Sequence, residues 1–182
     1  VSARRKARIL AFQALYAWEA SDSSLEELLG LTWLDAGKLS QMDEETLAFT
    51  RLMIAQAVEN VSEIDRRISR HLAHWPFERL KKVDLAILRM GAVCLLYQPE
   101  ISPGISIDEA IEIAKEYGSE ESYKFINGVL DGIRRDLESE RARLATGGNS
   151  RPAAAPAGDS DTTIESSYGP VARKNNDDQK KE

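Results

Sequence analysis

The chain has 182 residues, 42% hydrophobic and 30% charged, with a net charge of −6, a length that supports one domain with a substantial core. Its single cysteine, Cys94, excludes an intrachain disulfide and suits a reducing compartment. No apolar run approaches the ~20 residues of a membrane-spanning helix.

Arg4, Arg5, Lys6 and Arg8 precede an apolar run from Ile9 to Trp18. Gln13 interrupts that run and Glu19 closes it, so it reads as a helix and not as a signal peptide, and a cytoplasmic address is expected. The first helix is predicted over Ala3–Ala20, with a core stripe of Ala7, Ala11, Ala14, Leu15 and Trp18 broadened by Ile9, Phe12 and Tyr16. A short helix over Leu25–Leu29 ends at Gly30. Ser40, with Asp43 three residues on, predicts a capping box opening the next helix. That segment carries Leu47, Ile54, Val58, Val61, Ile64, Ile68 and Leu72, with a break near Asn60, and stops at Trp75-Pro76.

The segment from Asp84 to Tyr97 is apolar on nearly every face and predicts a central, buried helix in which Cys94 is a small hydrophobe. Pro99 and Pro103-Gly104 predict a loop, and Ser106 with Glu109 a second capping box. Gly118 ends that helix. Ser119 can cap the last one, whose stripe is Tyr123, Ile126, Leu130, Ile133 and Leu137. The expected fold is therefore all-α: a compact bundle of six or seven helices in two stacked halves meeting near Pro76, spanning residues 1–145. From Thr146 onward Gly, Ser, Pro, Ala, Asp and Lys dominate, which predicts a disordered tail over residues 146–182.

The net charge hides a polarity. Residues 1–10 carry four basic groups and no acid, and residues 141–182 seven basic and six acidic, which leaves 13 basic against 24 acidic in residues 11–140. So acidic a middle repels polyanions, and any nucleic-acid contact must be local. No catalytic constellation is present: there is no Gly-rich phosphate loop and no cysteine pair. His71 and His74 have a spacing that could hold a metal, but at a helix end beside Trp75-Pro76 they read as surface or packing residues, so no metal or cofactor is expected.

Two features remain. The basic run Arg4-Arg5-Lys6-Ala7-Arg8 is compatible with a solvated helix start or with a nucleic-acid contact. Four cations in a first turn oppose the helix dipole unless an anion compensates, which favours the contact. The second is Tyr123-Lys124-Phe125-Ile126-Asn127-Gly128. The stripe takes Tyr123 and Ile126, leaving Lys124 outward and Phe125 at the edge, placed either to stack on an unpaired base or to pack on a neighbouring helix. Gly128 inside the helix predicts close approach of another backbone.

Residues 4–18 (RRKARILAFQALYAW), 83–97 (VDLAILRMGAVCLLY) and 106–131 (SIDEAIEIAKEYGSEESYKFINGVLD) together resemble the bacterial NusB family of transcription antitermination factors, over residues 4 to about 137. The resemblance implies an all-helical protein that binds the single-stranded boxA element of nascent RNA together with NusE, a small-subunit ribosomal protein, within the RNA polymerase antitermination complex. It implies RNA contacts at Arg4, Arg5, Lys6, Arg8, Glu121, Lys124 and Phe125, and a NusE-facing surface around Tyr16 and Asp84. Glu121 stands where the family usually has aspartate, and Tyr123 where it often has histidine. The alternatives are an RNA-positioning domain like those fused to RNA methyltransferases, without the Gly-rich cofactor turn of such enzymes, and a protein-binding helical adaptor. An apolar helix face can be core or interface, so a homodimer stays open.

Overall fold

The computed structural model describes residues 2–21, 23–73 and 75–146. The expected tail, apart from Thr146, lies outside the described residues, as does His74. Among the described residues eight α-helices run in order: α1 (Ala3–Ala20), α2 (Leu25–Gly30), α3 (Ala36–Ser40), α4 (Glu44–Glu59), α5 (Val61–Arg70), α6 (Lys82–Tyr97), α7 (Pro103–Tyr117) and α8 (Ser122–Ala145), with a 3₁₀ turn over Phe77–Arg79 between α5 and α6. No strand occurs among the described residues. The count exceeds six or seven because Ala36–Ser40 closes a turn of its own.

α1 forms over its predicted span. Ser2 caps it by accepting from the Arg5 amide at 3.3 Å, and it buries Ala7, Leu10, Ala11, Phe12, Ala14 and Leu15. In α6 every residue from Asp84 to Leu95 is buried, as a helix enclosed on all sides requires. It packs against α1, α4, α5, α7 and α8. One half of the bundle is built on the packing of α1 against α4 and the other on that of α7 against α8, and α6 belongs to both. Arg89 crosses this centre: its guanidinium donates to Asp65 twice at 2.8 Å and to Glu19 at 2.7 Å, tying α6 to α5 and to the end of α1. Burial works against the Arg89 charge, but the two carboxylates outweigh it and hold its pKa above the ordinary value.

Several predicted helix ends are corrected. Asp43, not Ser40, caps α4, accepting from the Thr46 amide at 2.7 Å and the Thr46 hydroxyl at 2.8 Å. Ser40 instead donates to the Gly37 carbonyl at the close of α3. Gly30 ends α2 as expected, but the left-handed residue is Leu31, φ 53°, whose side chain is buried. α5 stops at Arg70, before Trp75-Pro76. Pro103 is the first residue of α7, where its missing N–H costs nothing, so Ser106 lies buried inside the helix instead of capping it. Ser119 does not cap α8; it binds the Ser122 hydroxyl, while Glu121 holds the N-cap position without a side-chain bond to the helix amides.

Gly128 is also corrected. A Cβ there meets nothing within 4 Å, and the residue is exposed. Close approach occurs at Gly91, where a Cβ would stand 2.7 Å from Leu130 Cδ1, and at Gly118, where it would stand 2.6 Å from the Ala114 carbonyl oxygen. The first brings α6 against α8, and the second folds α7 back into α8.

Candidate nucleic-acid and partner surfaces

The cations at the start of α1 divide by depth. Arg4 and Lys6 are exposed and Arg5 is half-buried, whereas Arg8 is only 3% exposed. Arg8 lies beneath α7 with Nη1 3.7 Å from Glu109 Oε2 and no hydrogen bond to its Nε. Its charge bears on the Cys94 thiol, whose pKa burial pushes up while Arg8 opposes the rise. Among the four it is thus an interior cation, and the surface run is Arg4, Arg5 and Lys6.

The anion that the dipole argument calls for comes from within the chain. Arg4 pairs with Glu45 of α4 at 3.3 Å and lies 4.2 Å above the Phe49 ring; Arg5 approaches Glu116 of α7 at 4.0 Å. Both pairs face solvent, where such contacts contribute little, about 0–1 kcal/mol, and a phosphate can replace the carboxylate. The dipole therefore does not by itself select a nucleic acid.

At the start of α8, Lys124 is exposed and pairs with exposed Glu121 at 3.0 Å, a contact that raises the Lys124 pKa. Phe125 is half-buried, packed against the core on one side and lining a cavity on the other. Tyr123, expected in the core stripe, is only partly buried; Lys124 and Lys115 each lie near its ring, at 5.7 and 5.8 Å from the centroid. Lys115, in the last turn of α7, carries no signal in the sequence, yet it joins the two candidate regions: its neighbour Glu116 holds Arg5, and Lys115 itself reaches Tyr123. The Phe12 and Tyr117 rings, 5.2 Å apart, seal α1 to α7 beneath.

Tyr16 and Asp84 also come together. Both line an open groove of about 570 Å³ with Lys82, Tyr117 and Ser119. Tyr16 is 41% exposed, while Asp84 is 7% exposed and its Oδ1 has no hydrogen-bond partner. Asp84 also borders a second cavity, of about 440 Å³, that holds Phe125, Glu121 and Trp75. Where the two meet, Lys81 Nζ donates to Ser119 Oγ at 2.9 Å. Lys81, Arg79 and Trp75 are site residues that the sequence does not mark; Trp75 stands out there only as a helix stop.

His71, expected as a surface or packing residue, meets Asp136 at 2.9 Å, clasping the end of α5 to α8. Among the described residues no group of three His, Cys, Asp or Glu could hold a metal, and no helix is long and apolar enough to cross a membrane.

Comparison with known proteins gives a consistent result. Residues 5–135 match the model of the NusB family. The transcription antitermination protein NusB of Treponema pallidum is 46% identical over 132 residues, 72% of this chain and 92% of that protein. The solved structure of T. maritima NusB is 39% identical with a TM-score of 0.66, covering 73% of this chain and 91% of that one. A structure of the antitermination factors NusB and NusE in complex with double-stranded RNA is 28% identical with a TM-score of 0.66, covering 74% and 97%.

Proposed function

The chain belongs to the NusB family, and from that premise we propose that it is an RNA-binding transcription antitermination factor that takes boxA RNA together with NusE. Its work is binding and not catalysis, within the RNA polymerase antitermination complex and hence in the cytoplasm, where the transcript is made. The related NusB–NusE pair held with RNA supports this choice of partners. Phosphates are taken by Arg4, Arg5 and Lys6 at the start of α1 and by Lys124 at the start of α8, while Phe125 stacks on an unstacked base at the edge of Glu121. Arg8 supports that surface from below, facing Glu109. Tyr16 and Asp84 face NusE. The autonomous domain is the bundle closed by α8, the residues up to 145.

The observation that carries the reading is the last turn of α7, which links the start of α1 through Glu116 and the start of α8 through Lys115. Two cationic regions more than a hundred residues apart in sequence thus meet the same helix end, where Lys115 also pairs with Glu112 at 2.7 Å. The pairing of each surface arginine with a carboxylate favours a second reading, a protein-binding adaptor whose arginines only solubilise it. Titrating labelled boxA RNA and a scrambled RNA of equal length separates the two. A preference for boxA that NusE strengthens supports the RNA reader, and equal weak binding of both supports the adaptor.

A further inference from the structure

Trp75 is 53% exposed, the bulkiest apolar side chain left open to solvent among the described residues. It follows a turn in which Ala73 has φ 42°, the left-handed region that a residue with a Cβ rarely adopts. Such backbone is retained where the surrounding structure has a use for it. Among the described residues the Trp75 ring is not packed into the core. It lines the cavity of about 440 Å³ that also holds Phe125, with Arg79 and Lys81 at the same opening. The Arg79 guanidinium lies 5.6 Å from the Trp75 ring centroid. Glu121, at the edge of the cavity, offers an acceptor to a base amino group.

We propose that this cavity seats one unpaired nucleobase of the bound RNA, with Trp75 as a stacking side chain beside Phe125 and with Arg79 and Lys81 taking the adjoining phosphates. The proposal rests on the reading of the chain as an RNA binder and adds to it a subsite at Trp75, Arg79 and Lys81. Two aromatic faces with a guanidinium and an ammonium at one opening are the chemistry of base stacking next to a charged backbone. An apolar peptide would use the aromatic surface but offer nothing to the guanidinium and the ammonium that line it beside Asp84 and Glu121. The cavity is also continuous with the start of α8, where Lys124 and Phe125 face the same ligand.

The test uses the full chain with NusE, end-labelled boxA RNA, and two variants. Trp75→Leu keeps apolar bulk and removes the aromatic face, whereas Trp75→Tyr keeps a face. The subsite predicts that W75L weakens RNA binding by about five- to a hundred-fold, with an unchanged salt slope because every cation that meets a phosphate is still present, and that W75Y recovers most of the affinity. RNA should quench the tryptophan fluorescence of the wild type, and W75Y, which retains the half-buried Trp18 and Trp33, should lose that response. The fluorescence comparison decides the matter even where W75L folds poorly. Wild-type affinity in W75L, or quenching that persists in W75Y, overturns the subsite alone. So does a W75L protein that loses NusE while binding RNA normally, since Trp75 would then face the protein partner. A wild-type chain that binds no RNA, with or without NusE, overturns the RNA reading and the subsite together.

Discussion

Arg4 and Arg8 lie one helical turn apart on α1, yet Arg4 is exposed and Arg8 is buried against Glu109. Arg4→Ala with Arg5→Ala should weaken boxA binding at an unchanged melting temperature and reduce the log–log salt slope by about 0.7 for each phosphate that no longer meets a cation. Arg8→Ala should act through the fold: it leaves the inward Glu109 oxygen without its cation, at a cost of about 2–4 kcal/mol in denaturant unfolding. The run is legible in the sequence as charge but not as depth, because the burial of Arg8 is decided by α7 docking a hundred residues later. Lys115 is illegible for the same reason, since it gains its place only when α7 and α8 fold together. Phe125 reads in the sequence as either a stacking or a packing residue, and its half-buried position allows both. Phe125→Ala should cost about 1–3 kcal/mol in RNA affinity and less stability than the roughly 3–5 kcal/mol of a fully buried phenylalanine. RNA titration and thermal melting of that one variant measure the two effects.

The helices themselves are largely legible. Their apolar periodicity, the break at Asn60 and the all-round burial of α6 follow from the sequence, because a period of 3.6 is a local property. Their ends are less so, because a Ser-x-x-acid pattern does not say which of its residues is the cap. Asp43 caps its own helix through both Thr46 donors, and Pro103 starts a helix that the Ser106 pattern placed later. The Thr46 amide, then the Thr46 hydroxyl, hold the Asp43 carboxyl below its ordinary pKa. A depressed carboxylate contributes stability above its ordinary pKa and loses it as pH falls through the lowered one. The first turn of α4 should therefore fray only in acid, and Asp43→Asn should retain the cap without that dependence, as amide exchange across pH would report. The glycines give a sharper contrast. Gly91→Ala drives a methyl into Leu130 between α6 and α8 and should cost about 1–3 kcal/mol. Gly128→Ala, exposed and with open space around it, should stabilise α8 by up to about 1 kcal/mol.

In the whole molecule, α6 holds the two halves together, and its first turn carries Asp84 between the groove of Tyr16 and the cavity of Phe125. That adjacency accounts for how a protein partner and an RNA could be held side by side by so small a bundle. If Asp84 faces NusE as proposed, Asp84→Lys should weaken NusE association, because charge reversal at an interface introduces repulsion or an unpaired group; co-purification with NusE reads the effect. Because the described helices bury their core among themselves, a chain ending at Thr146 should melt as the full chain does. Tyr16 and Asp84 are marked in the sequence by family resemblance, but the meeting of their groove with the Phe125 cavity follows only from the way α7 turns back at Gly118. The most direct measurement is a titration of labelled boxA RNA across a salt series, with and without NusE, for the wild type and for the Arg4→Ala, Arg5→Ala double variant. An RNA reader built in this way should show a boxA preference that NusE tightens, and a wild-type salt slope steeper than that of the variant by about 1.4. Equal affinity for scrambled RNA, or the same slope in both proteins, would contradict it.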